Sequence, residues 1–147
     1  MKAMVVYDSK WGNTQKIAEA IASAIGGDAK ALRVGDRESK EIADKELLVL
    51  GCPVIIGKPS KPMQEYLKSM AKSLKGGPKI AFFDTRMTSE AAKKYGYAAD
   101  QMISDFKKQG CNLISEPKGF IVVGRNGPLA EGEEKRATKW GKELAKS

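Results

Sequence analysis

The sequence predicts a doubly wound α/β fold, and three features point to it. Short apolar runs alternate with helical patterns along all 147 residues. The runs are continuously apolar, as "LLVLG" is, which is the pattern of strands buried on both faces. Glycines stand where the helical patterns end, the place for a left-handed cap. Strict alternation of this kind implies a parallel sheet with right-handed crossovers and helices on both faces. The length suits one substantial core, so the expectation is a single domain over residues 1–147.

The elements follow in order. "KAMVVY" (Lys2–Tyr7) is β-branched and aromatic and reads as the first strand. A helix follows with Ile17, Ala18, Ile21, Ala22 and Ile25 in one period-3.6 stripe, closed by Gly26 and Gly27. Ala29–Val34 reads as the second strand, followed by a short helix near Ser39–Asp44. The third strand is Glu46–Leu50, and the next helix carries Met63, Tyr66, Leu67, Met70 and Leu74, with Pro62 in its first turn, where a missing donor costs little. Lys79–Phe83 is the fourth strand; Ala99, Met102, Ile103 and Phe106 mark a helix ended by Gly110. The fifth strand is split over Cys111–Ser115 and Gly119–Val123, and Trp140 with Leu144 marks the last helix. Five strands and five helices make a three-layer sandwich. No repeat or linker suggests a second domain.

Composition narrows the chemistry. Hydrophobic residues at 41% and charged residues at 30% fit a globular chain rather than a disordered one. No apolar run approaches the roughly 20 residues of a membrane-spanning helix, and the N-terminus turns polar too early for a signal peptide. A cytoplasmic protein is therefore expected. The sequence contains no histidine, which removes the commonest general base and metal ligand and every triad built on one. Two cysteines, Cys52 and Cys111, are too few for a disulfide framework or a zinc site. The strand order puts them at opposite ends of the sheet, roughly 17 Å apart, which rules out a bond between them. Cys52 reads as a small buried hydrophobe. Chemistry is thus left to a cofactor or to a few carboxylates. The formal charge is +8, but no basic stripe interleaves with aromatics, so the lysines read as solvated helix faces and not as a nucleic-acid surface.

Ligands of open α/β sheets bind beyond the carboxyl ends of the strands, at the point where strand order reverses. Four loops lie there: Asp8–Thr14, Gly51–Pro62, Asp84–Glu90 and Gly124–Glu131. The first, "DSKWGNT", leads straight into a helix, whose free N–H groups and positive dipole end favour an anion. Ser9, Asn13 and Thr14 add neutral donors, and Gly12 permits close backbone approach. A Walker loop would need a lysine beside Ser or Thr after its last glycine, and a dinucleotide fingerprint would need three glycines. A receiver domain would need an aspartate at the end of the third strand, and a cysteine phosphatase a cysteine in the first loop. The sequence has none of these.

The stretch "VVYDSKWGNTQKIAEAI" resembles the flavodoxin signature position by position: an aliphatic pair, an aromatic, Ser9, Gly12, Thr14, Ala18 and Ile21. "GCPVIIGKPSKPMQEYL" is similar to the family's second flavin loop, "AFFDTR" stands at the third, and the closing "GFIVVGRNGPLAEGEEKRATKWGKELA" resembles short single-domain members from archaea and anaerobic bacteria. The resemblance implies a flavodoxin-like sheet in the order 2-1-3-4-5 with FMN at its switch point, the arrangement for which flavodoxin is itself the standard example. It further implies that Ser9, Lys10, Trp11, Gly12, Asn13 and Thr14 hold the FMN phosphate. Pro53, Val54, Ile55, Ile56 and Gly57 would run along the isoalloxazine edge, and Asp84, Thr85, Arg86 and Met87 would close its other side. Gly57 would let a peptide turn its carbonyl toward the flavin on reduction.

Two departures from the family stand out. Flavodoxins commonly sandwich the ring between a tryptophan and a tyrosine, whereas these two loops offer Val54, Ile55, Ile56 and Met87; Tyr95 and Tyr97 fall where a helix is expected. Electron-carrying members are usually acidic around the flavin, whereas the four loops here carry Lys10, Lys58, Lys61, Arg86 and Arg125 against Asp8, Asp84, Glu90 and Glu131. Cations stabilise the negative charge of a reduced flavin, so a less negative second reduction potential is expected, with redox partner proteins that dock through an acidic face. Arg86 can alternatively pair with Asp84, and Trp11 can simply shield the helix start. Three activities fit the sequence: an FMN electron carrier, with no catalytic acid or base, as a monomer or weak dimer; an FMN-dependent quinone-type reductase; or a binding module without FMN.

Overall fold

The computed structural model describes residues 1–147. The chain runs β1 (Ala3–Tyr7), α1 (Asn13–Ile25), β2 (Lys30–Arg33), a 3-10 turn at Arg37–Lys40, β3 (Leu47–Ile55), β4 (Lys58–Pro59) and α2 (Lys61–Leu74). It continues through β5 (Lys79–Arg86), α3 (Glu90–Tyr95), α4 (Ala98–Lys108), β6 (Asn112–Leu113), β7 (Lys118–Ile121) and α5 (Glu133–Ala145). The sheet order is β2-β1-β3-β5-β6, with β7 also on β5 and β4 on β3. β6 pairs with Lys79 and Ile80 and β7 with Phe83 to Arg86, both parallel. The two therefore share the fifth position of the expected 2-1-3-4-5 sheet, and the split strand is as the sequence predicts.

Period-2 alternation sorts each strand between two cores. Val5, Val49, Ala81 and Phe83 pack with α1 and α5, joined by Trp140 and Phe120. Val6, Leu48, Leu50 and Phe82 pack with α2 and α4. Ring pairs at 5.9–6.1 Å link Phe83, Phe120 and Trp140. These contacts fix the carboxyl ends of β1, β3 and β5 side by side, and the candidate site is built on those ends.

Three local features differ from the sequence reading. β3 does not stop at Leu50: Gly51, Cys52 and Pro53 continue the ladder against Phe83, Asp84 and Thr85. Gly51 reads as a break in sequence, yet it belongs to the strand because the Phe83 ring fills the space a Cβ would take. The second loop is then a β-hairpin, with Val54 opposite Pro59 and Ile55 opposite Lys58. Ile56 and Gly57 form its two-residue turn with φ of 47° and 77°, the conformation that Asn-Gly usually fills. Second, the helix expected near Ser39–Asp44 is one 3-10 turn, where the Ser39 hydroxyl donates to the Asp36 carbonyl (2.6 Å). Third, the helical region after β5 is broken in two at Gly96, whose φ of 89° ends α3.

Candidate functional site: an anion cradle joined to an apolar cleft

The β1–α1 loop owes its shape to Ser9 and Gly12. The Ser9 hydroxyl oxygen accepts the amides of Gly12 (3.0 Å) and Gln15 (3.4 Å) and curls the loop around itself. Gly12 has a φ of 92°, a left-handed conformation that costs any other residue strain. Arg33, at the end of β2, braces the loop from behind by donating to the Ser9 carbonyl (3.0 Å) and Gln15 Oε1 (3.2 Å). The result leaves the amides of Lys10, Trp11, Asn13 and Thr14 without a protein acceptor. Two free donors in the loop and two in the first turn of α1 together form an anion cradle. The Asn13 side-chain Nδ2 donates to the Asn126 carbonyl (3.3 Å), so the "GRNGPL" turn closes one flank. The hydroxyls of Thr14 and Thr85 share a hydrogen bond of 2.8 Å, joining the cradle to β5.

Beside the cradle opens a cavity of about 350 Å³, within the range of small-ligand sites. Lys10, Trp11, Asn13 and Thr14 border it on the cradle side, and Pro53 to Gly57 from the hairpin border it on another. Thr85 and Met87 contribute from the end of β5, Ser89, Ala91, Ala92, Tyr95 and Tyr97 from the segment around α3, and Val122 and Arg125 from the fourth loop. Its charged lining is therefore Lys10 and Arg125, with no carboxylate. The cavity thus has free donors and cations toward one end and apolar walls at the other, suited to a ligand with an anionic end and an apolar end.

Of the residues assigned from sequence, Ser9 and Gly12 shape the loop from outside the cavity, and Asp84 and Arg86 stand away from it. The reason is the pleat. Thr85 and Met87 point to the cavity, so Asp84 and Arg86, one residue out of phase, point to the α4 side. There Arg86 forks onto Asp84 at 2.7 and 2.9 Å, the pairing that the sequence left open. Burial pushes the Asp84 carboxyl up, against the opposing pull of Arg86 and of the Ala99 amide. Burial alone would lower Arg86, but its bonds to Asp84 hold it above its ordinary value. Cys52, also on this side of the sheet, is fully buried and its thiol is pushed up to about 12 by that burial; both cysteines are free. The alternation that separates Thr85 from its neighbours follows from β5 running past Phe83 to Arg86. The α3 residues had no such signal, since "SEAAKKYGY" reads simply as helix.

The sequence matches the family model described as a flavodoxin domain over residues 4–125. The chain belongs to the flavodoxin family. Among curated flavodoxins, that of Clostridium beijerinckii is 25% identical over 150 residues, covering 96% of this chain and 97% of its own. The flavodoxin of Megasphaera elsdenii is 26% identical over 125 residues, covering 82% and 80%. A solved flavodoxin from the domain Archaea superposes with a TM-score of 0.80 over 99% of this chain and 97% of that one, at 22% identity, a likeness of fold. With that archaeal flavodoxin the chain shares its fold nearly end to end.

Proposed function

We propose that this flavodoxin-family chain binds FMN in the cavity and carries electrons between redox proteins. One observation supports the reading above others: four residues whose amides have no protein acceptor, two in the loop before α1 and two in its first turn, line the same cavity as the apolar cleft. The amides of Lys10, Trp11, Asn13 and Thr14 would hold the phosphate, and the hairpin, Met87, Tyr95 and Tyr97 would wall the isoalloxazine. FMN, when bound, supplies one- and two-electron chemistry. The chain's own part is to bind, orient and tune. It needs no acid or base for that, in keeping with a sequence lacking histidine.

The rim suggests the partner. Apart from Met1, the large exposed hydrophobics are Ile56, Met87, Tyr95 and Val123; three line the cavity and the fourth adjoins Val122, which does. Lys10, Lys58 and Arg125 stand among them and form no ion pair with an acidic side chain. An apolar centre ringed by free cations suits a redox protein with an acidic docking face. We place this exchange in the cytoplasm, with the carrier as a monomer or weak dimer.

Titrating FMN into the purified protein tests the first half. Stoichiometric binding with perturbed flavin absorbance is expected; absence of binding at millimolar FMN defeats it. For the second half, stopped-flow electron transfer to an acidic and a basic redox protein is compared as salt rises. The rate should fall for the acidic partner and rise or stay level for the basic one.

A further inference from the structure

The segment that walls the cleft opposite the hairpin is held by little of its own. It spans residues 87–96, and α3 within it contains no buried residue. Its Ser89 cap, accepting the Ala92 amide at 3.2 Å, is internal to it. Apart from a contact with the hairpin at Gly57, what holds the segment lies at its two roots. Arg86 precedes it and Tyr97 follows it, and the Arg86 guanidinium lies 3.8 Å from the centre of the Tyr97 ring. Behind both stands Asp84, fully buried. Its carboxylate takes the Arg86 fork at 2.7 and 2.9 Å and also accepts the Ala99 amide at 2.8 Å, just past Tyr97. One carboxylate thus ties down the residue entering the segment and the backbone leaving it. Gly119 is part of the design: a Cβ there would occupy the space of the Arg86 side chain. At the far side, Gly57 abuts the Tyr95 carbonyl so closely that a Cβ would overlap it.

We propose that Asp84 and Arg86 are positioning residues, a staple that closes the 87–96 segment over the cleft by clamping its two roots. Neither lines the cavity. They act through Tyr97, which does, with Arg86 on one side of its ring. The proposal rests on the FMN reading only for its second test.

Hydrogen exchange of the full chain, without and with FMN, compares wild type with Arg86→Met, Arg86→Lys and Tyr97→Leu. In the FMN-free protein, the hydrogen-bonded amides of Ala92, Lys93 and Gly96 should exchange about tenfold faster in Arg86→Met, the equivalent of about 1.4 kcal/mol, while β1 and α1 amides hold their protection. Arg86→Lys keeps the charge but loses the planar fork and should fall between. Tyr97→Leu spares the buried ion pair and removes the ring through which the pair acts, so it decides the matter if Arg86→Met does not fold. Unchanged exchange of the Ala92, Lys93 and Gly96 amides in Tyr97→Leu, or an equal rise everywhere, overturns the staple. With FMN, Arg86→Met should release flavin faster, with altered flavin fluorescence, although Arg86 does not touch the cavity. If wild type binds no FMN, the function proposed above fails and the exchange comparison still decides the staple.

Discussion

The two ends of the cavity are made by different means. The cradle is backbone: one loop, Ser9 to Thr14, presents amides that its own Ser9 and Gly12 leave free. The cleft is side chains drawn from the β3–β4 hairpin, the end of β5, the α3 segment and the fourth loop. A site made of backbone carries its instructions in consecutive residues, because the turn and the helix start are local events. A site made of side chains depends on which strands are neighbours and on which face each residue falls, so its instructions are scattered.

The sharpest test of this contrast compares two glycines, both at positive φ. Gly12 has open space where its Cβ would be, and Gly57 has the Tyr95 carbonyl. Gly12→Ala then suffers backbone strain alone, about 1–2 kcal/mol. Gly57→Ala adds steric overlap and should cost about 2–4 kcal/mol, together with displacement of the α3 segment. Urea denaturation of the FMN-free variants measures both. Equal losses would mean that the cleft end yields as readily as a free-standing loop.

The pleat can be tested through Cys52, whose neighbour Pro53 lines the cavity while Cys52 lies buried in the core beneath α2. Its thiol is pushed from 9.0 to about 12 by burial. Above about pH 9 the unfolded chain ionises this thiol and the folded one does not, so ionisation favours unfolding. Stability is full below that pH and is lost as pH rises toward 12, at about 1.4 kcal/mol per pH unit from this group. Cys52→Ala should remove that part of the alkaline decline. Native alkylation at pH 8 should modify Cys111, which is half-buried, and spare Cys52 until the protein unfolds. Modification of native Cys52 would place it on the wrong face.

How much could be read from the sequence follows the same division. The five sheet positions, the split fifth strand and the cradle follow from apolar runs, glycines and a helix start. The hairpin is not legible in the sequence, because Ile56-Gly57 lacks the usual asparagine and Gly51 reads as a strand end. The resemblance groups Asp84 and Arg86 with Thr85 and Met87 as one loop; residues in a loop have no parity, whereas β5 runs to Arg86 and gives them one. The break at Gly96 that frees Tyr97 to meet Arg86 was masked by the helical propensity on both sides of it.

That hairpin turn offers a gain rather than a loss. Ile56 is β-branched, at φ 47° and 73% exposed. Its side chain thus contributes little burial while its backbone sits where such residues are rare. Ile56→Asn should stabilise the FMN-free protein by about 1 kcal/mol, seen as a raised thermal midpoint. A fall instead would show that Ile56 earns its place through packing that the exposure conceals.

The smallest expected effect concerns the charge that both ends share. Lys10 and Arg125 are the charged residues of the lining, and Lys10 lies 5.0 Å from the centre of the Trp11 ring, held near the cradle. If FMN occupies the cavity, each cation favours the added negative charge of the reduced flavin. Lys10→Gln and Arg125→Gln should then each lower the second reduction potential by roughly tens of millivolts, the scale of a unit charge some 10 Å away in a medium of intermediate dielectric. The two shifts should add, since the residues lie on different loops, and each should shrink as salt rises. Spectroelectrochemical titration at two ionic strengths reads all of this. Should Lys10→Gln weaken FMN binding without moving the potential, Lys10 belongs to the cradle alone; should it move the potential as Arg125→Gln does, one field spans both ends of the cavity.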